Sequence, residues 1–355
     1  MKNNISLFLF VIVIVGLHLL TASTGSLYLL TQLTMSAYYS LLAIGLCLLM
    51  GHAGQISMGH AGFFAIGGYL SASLTTHNMV SSAETGWVQG LSSLGLLHAG
   101  EDMFGDALLV LAPWPACLMA IAVAALVALL LGIPILKLKG HYLAMATLGF
   151  GIIVYRLVLA TEFFGEADGI SDVPAFAILP GLSIVGDLDV RVENYYIAAV
   201  ILFFGFVLLR NLTRSRVGRA LRAIHSAEDA ADSMGINVAH YKLITFVLSA
   251  VFAAFAGVCL THYNGGIGPS EAGMMKSVRY VAIVAVGGMA NLWGVLTMSM
   301  VLNYLSLRGI FGSYDDAVFG TVLVLVMLFA PDGIFSIKLR AGLAQLRAKY
   351  GEDLS

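Results

Sequence analysis

Two histidines, His52 and His60, stand eight residues apart in the run Gly51-His52-Ala53-Gly54-Gln55-Ile56-Ser57-Met58-Gly59-His60-Ala61-Gly62. The run holds no carboxylate or cysteine, so the pair lacks the donor set of a metal centre and no metal site is expected. Enzymatic motifs are missing as well. The chain has no Gly-x4-Gly-Lys-Ser/Thr phosphate cradle, no His-Glu-x-x-His and no Gly-x-Ser-x-Gly turn. Neither an enzyme nor a cofactor bound by this chain is expected. The run offers irregular, glycine-rich backbone instead, and residues 287–294 form a second such interruption. Within a membrane, irregular backbone persists only where it lines a cavity or is buried in protein. Broken apolar segments in the two halves of a transporter mark the substrate route, whereas small residues equally serve close helix packing. On the first reading, Gly54, Gln55, Ser57, Gly59, His60, Thr147, Gly149, Gly287 and Gly288 are the residues expected on or beside a translocation path.

The surrounding elements must cross a membrane. Of 355 residues, 59% are hydrophobic and 11% charged, and the mean hydropathy is +0.91; a soluble domain carries about a quarter charged residues. Apolar runs cover 5–20, 27–50, 63–74, 107–135, 142–160, 195–209, 243–262, 280–307 and 317–330. Split at its glycines, 280–307 makes two crossings, giving an all-α polytopic membrane protein. About ten transmembrane helices are expected, some broken by Gly-rich segments, with both termini cytoplasmic. The first run, followed by Thr21-Ala22-Ser23, also has the form of a signal peptide; a retained helix is expected because the topology works with it. Segments 75–106, 161–193 and 263–279 read as loops. Residues 1–335 form the permease-like transmembrane domain and 336–355 a cytoplasmic tail. Cys47, Cys117 and Cys259 each stand alone in an apolar segment, as buried small hydrophobes do. Arg156, the most membrane-embedded charge, either works there or snorkels to the interface. Acidic residues are nearly absent from the spans, which argues against a proton-coupled carrier.

Charge distribution orients the chain. Thirteen of its 18 Lys and Arg residues fall on the side predicted to be inner, six of them in the loop 210–242: Arg210, Arg214, Arg216, Arg219, Arg222 and Lys242. The net charge of −2 gives no reason to expect a nucleic-acid partner. After the arginines, Ser226 and Asp229 have capping-box spacing. Ala227, Ala230, Ala231 and Met234 then share one helical face, with Glu228, Asp229 and Asp232 towards the other, and Gly235 supplies a left-handed stop. A helix of about two turns, ~12 Å long, is expected. It would dock into a cytoplasmic partner through residues Ser226, Ala227, Glu228, Asp229, Ala230, Ala231, Asp232, Ser233, Met234 and Gly235.

Several of these stretches resemble a known family. The 51–69 run, Lys139-Gly140-His141-Tyr142-Leu143-Ala144-Met145-Ala146-Thr147-Leu148-Gly149-Phe150, Gly218-Arg219-Ala220-Leu221-Arg222-Ala223-Ile224, Gly287-Gly288, Trp293-Gly294 and Pro331-Asp332-Gly333 occur in order. Together they resemble LivM-type permease subunits of high-affinity branched-chain amino-acid ABC importers over nearly the whole chain. The resemblance implies an inner-membrane permease paired with a second permease. Two cytoplasmic ATPase subunits would use ATP, and a periplasmic binding protein would deliver the solute. His52 departs from the family's usual aromatic, and Phe164-Gly165-Glu166-Ala167-Asp168-Gly169 keeps only half of its outer-loop pattern. Urea, an amide or another small solute thus stands beside branched-chain amino acids as cargo. A stand-alone secondary transporter or channel is the rival class.

Overall fold

The computed structural model describes residues 2–80, 85–101, 107–138, 140–179 and 181–329; Lys139, Pro331-Asp332-Gly333 and the 336–355 tail lie outside them. In chain order the helices are α1 (Lys2–Ser23), α2 (Leu29–Cys47) running into a π turn (Leu48–His52), α3 (His60–Thr76) and α4 (Gly86–Ser93). The hairpin β1 (Leu97–Glu101) and β2 (Ala107–Leu111) precedes α5 (Pro113–Ile135) and α6 (His141–Ala160). A second hairpin, β3 (Phe176–Leu179) and β4 (Leu182–Ile184), precedes α7 (Arg191–Arg214), α8 (Arg216–Ser226), α9 (Glu228–Ser233) and α10 (Val238–Asn264). The last three are α11 (Met274–Gly287), α12 (Leu292–Leu307) and α13 (Asp315–Phe329). Both hairpins are antiparallel pairs.

Among the described residues, five helical segments are long and apolar enough to cross a membrane: Leu29–His52, Pro113–Ile135, His141–Ala160, Arg191–Arg214 and Val238–Asn264. Leu7–Ser23 and Leu292–Leu307 are shorter apolar helices. The architecture is helical with two small hairpins, so the all-α expectation needs that amendment. The expected 107–135 span is also corrected: Ala107–Leu111 is a strand, and the helix begins at Pro113. Proline forces the preceding Ala112 into extended backbone and is pre-set for a helix's first turn. The expected loop 263–279 is corrected too, since α10 runs to Asn264, Pro269–Ala272 forms a 3-10 turn, and α11 starts at Met274.

At the centre lies α2, where every residue from Ser36 through the π turn is buried. An all-round apolar sequence fits that position. Around it, α5 buries a stripe of small residues (Ala116, Ala120, Ala124, Ala128, Gly132) and exposes Leu118, Leu126 and Leu130. Small side chains inward and large ones outward is the pattern of helices packed within lipid, where close backbone approach replaces the hydrophobic drive. Helices α3 and α10 approach closely. A Cβ on Gly67 would lie 2.1 Å from the Ala254 carbonyl oxygen, and one on Gly257 2.1 Å from that of Phe64.

Candidate functional site

The break between α2 and α3 is built from its backbone outward. The π turn widens the end of α2, and the Gln55 N–H reaches back to the Leu49 carbonyl at 3.2 Å. Gly54 then takes a left-handed conformation (φ +68°), and a Cβ there would lie 2.7 Å from His225 Nδ1 of α8. The left-handed backbone favours glycine at 54, and the His225 ring stands close to it. Ser57 and His60 close the segment. His60 Nδ1 is 3.0 Å from Ser57 Oγ, and Nε2 is 2.7 Å from Ser249 Oγ on α10. With both ring nitrogens engaged, His60 is a buried clamp that joins the start of α3 to α10.

Helix α6 holds the same segment from the other side. Thr147 Oγ1 accepts from the Met58 N–H at 3.0 Å and donates to the Ala144 carbonyl at 3.0 Å. A Cβ on Gly59 would stand 2.5 Å from the Thr147 carbonyl oxygen. The second glycine-rich interruption, the turn between α11 and α12, meets the first. The Met289 carbonyl sits where a Cβ on Gly51 would be, and it accepts from Cys47 Sγ at 3.1 Å. Gly287 lies against the Val295 backbone, and Gly288 has φ +90°.

Of the residues expected beside a path, Gly54, Gln55, Ser57, Gly59, His60 and Thr147 gather at one place, and Gly287 and Gly288 flank the turn that touches Gly51. Gly149 is set apart, half-buried on α6 with open space where its Cβ would be. Close packing accounts for Gly51, Gly59 and Gly287. Gln55 is different: its side chain is buried, yet neither amide atom has a hydrogen-bond partner among the described residues. Such groups are rare because an unmatched buried amide costs about 1–3 kcal/mol.

The basic loop folds as two short helices. Ser215 caps α8, its Oγ accepting from the Val217 N–H at 3.1 Å. Ser226 does not cap α9: it is the last residue of α8, and its hydroxyl donates to the Arg222 carbonyl at 2.9 Å. Ala227, in extended backbone, occupies the cap position without a side-chain acceptor, and α9 spans only Glu228–Ser233. Gly235 does adopt the left-handed stop, with φ +82°. The expected small-residue face divides. Ala231 is buried against Ile224 and Val238, whereas Ala227, Ala230 and Met234 face outward with Asp229, Asp232 and Ser233. Lys242 Nζ on α10 pairs with Glu228 Oε2 at 2.6 Å.

Sequence reasoning passed over Ser249 and His225, which are recognisable only from what they touch. It also read Glu271 and Lys276 as loop residues. Glu271 Oε1 accepts from Lys276 Nζ at 2.8 Å and from the Tyr39 hydroxyl at 3.0 Å. Arg156, by contrast, is exposed on α6 and takes no part in the break.

Comparison with known proteins bears on what this arrangement does. Residues 28–330 match the family described as Branched-chain amino acid transport system / permease component. The chain is 30% identical over 338 residues to the high-affinity branched-chain amino acid transport system permease protein LivM of Salmonella typhimurium, covering 88% of this chain and 72% of that protein. It is 28% identical to LivH of Escherichia coli, over 87% of this chain and 96% of that one. It is 26% identical to BraD of Pseudomonas aeruginosa, over 86% and 94%. No solved structure matches.

Proposed function

Because this chain belongs to the permease family of branched-chain amino acid transport systems, we propose that it is the membrane subunit of an ABC importer for hydrophobic, branched-chain amino acids. A second, similar permease completes the translocation unit, as the likeness to both LivM and LivH suggests. Two ATPase subunits on the cytoplasmic face use ATP, and a periplasmic protein delivers the solute. The arginines of α7 and α8 support an inner position for that end of the bundle, and the reading takes about ten crossings of the inner membrane with both termini cytoplasmic.

The observation that carries the reading is the seat of Gly54 on His225. It joins the broken α2–α3 segment to the α8–α9 pair, so a force on α9 can reach the break through α8. The outward side of α9, Ala227, Ala230 and Met234 with Asp229 and Asp232, is the surface that meets an ATPase. Gln55, with its unmatched amide, and Gly149, with open space beside it, stand beside the inner half of the path.

The test is leucine uptake into vesicles carrying the assembled importer, with and without internal ATP. ATP-dependent accumulation together with co-purification of the ATPase subunits is expected. Uptake that proceeds equally without ATP would make the chain a stand-alone carrier.

A further inference from the structure

Tyr39 lies thirteen residues before His52, about 20 Å back along α2 from the break. There α2, the 3-10 turn Pro269–Ala272 and the start of α11 bring together a carboxylate, an ammonium and two phenols. Glu271 Oε1 is satisfied by Lys276 and Tyr39, but Oε2 is buried without a partner. Tyr280 is 1% exposed, and its hydroxyl also lacks a partner. A cavity of about 20 Å³ is lined here by residues that include Tyr39, Lys276, Arg279, Tyr280 and Asn303. That is room for about one water, while the Lys276 and Glu271 side chains stay 24% and 18% exposed.

Unmatched buried polar groups are costly, so a buried pair that keeps them is a candidate for binding. This one keeps an acceptor on Glu271 and a hydroxyl on Tyr280 unused, with opposite fixed charges 2.8 Å apart. That is the complement of a zwitterion. An α-ammonium can replace Lys276 at Glu271, and the released Lys276, with a phenol, can take an α-carboxylate through charge-assisted hydrogen bonds. An apolar wall adjoins the charges: the Tyr39 ring stacks on Phe64 at 5.8 Å and lies 6.2 Å from that of Tyr280.

We propose that Glu271, Lys276 and the hydroxyls of Tyr39 and Tyr280 form a binding site for the ammonium and carboxylate groups of a hydrophobic amino acid passing through the bundle. The site rests on the reading of the chain as an amino-acid permease and adds the residues that recognise the cargo.

The experiment uses the assembled importer in proteoliposomes, measuring leucine uptake and ATP hydrolysis stimulated by the leucine-loaded binding protein. Glu271→Gln and Lys276→Met should each lower uptake tenfold or more while stimulated hydrolysis stays within twofold. The exchange Glu271→Lys with Lys276→Glu restores an ion pair in reversed order and should leave uptake low. Tyr280→Phe removes only the unmatched hydroxyl, breaks no internal hydrogen bond, and should raise the KM for leucine severalfold. Uptake within twofold of wild type in both single variants, recovery by the exchange, or an unchanged KM in Tyr280→Phe would each overturn the site. Failure of the unaltered importer to accumulate leucine would instead overturn the permease reading, whatever the variants do.

Discussion

Lys242 Nζ lies 2.6 Å from Glu228 Oε2, tying the first residue of α9 to the first turns of α10. The lysine side chain is only 10% exposed and the glutamate 32%, so solvent screens the pair partly and its worth is about 1 kcal/mol. Glu228→Gln should loosen α9 by that amount. Amide hydrogen exchange across 228–234 should speed up about fivefold, with α10 unaffected. Unchanged exchange would mean that packing alone holds α9.

The two alanines of α9 should separate folding from docking. Ala231 is buried against Ile224 and Val238, so Ala231→Arg forces a charge into a packed contact and should cost several kcal/mol, lowering the yield of folded protein. Ala230 is exposed. Ala230→Arg should leave expression and thermal stability as they are and weaken the pull-down of ATPase subunits. Normal assembly and uptake in Ala230→Arg would place the docking surface elsewhere.

Gly59 and Gly149 give a second contrast. Any side chain at 59 meets the Thr147 carbonyl, whereas nothing lies within 4 Å of a Cβ at 149. Gly59→Leu is expected to reduce folded protein sharply, by overpacking worth about 1–3 kcal/mol or more. Gly149→Leu should fold normally and lower uptake if that face of α6 lines the path. Size-exclusion profiles and uptake rates read the two effects separately.

Orientation can be checked against a quiet background, because Cys47, Cys117 and Cys259 are all buried. Ala167 and Ser226 are both exposed. An impermeant thiol reagent added to intact cells should label Ala167→Cys at once, and Ser226→Cys only after permeabilisation. Immediate labelling at 226 would turn the chain over and remove α9 from the ATPase side.

The helical segmentation was legible because long apolar runs leave few alternatives, and the break at 51–62 announced itself in glycines. Ser226 was misread because a serine between two polar helical turns suits either an N-cap or a last turn. What decided was the Arg222 carbonyl within reach of its hydroxyl. Ala107–Leu111 reads as helix by hydropathy, and only Pro113 hinted at a boundary. Glu271 was hidden by the Gly-Pro turn before it: its partner Tyr39 is 232 positions away, and no local pattern reports such a contact. His60 stands out in the glycine-rich run, but its clamp depends on Ser249 in a helix 189 positions later, which no local pattern reports.

The π turn at Leu48–His52 bears on what kind of motion this end of the bundle can make. A π turn carries roughly one residue more than an α turn of the same height. Relaxing it to α geometry would screw everything beyond it by about 100° and advance it by about 1.5 Å. The Gln55 amide lies just past that point, and His225 bears on Gly54 from α8. If a push there relaxed the turn, the segment would rotate about the α2 axis and sweep the amide sideways with little axial travel.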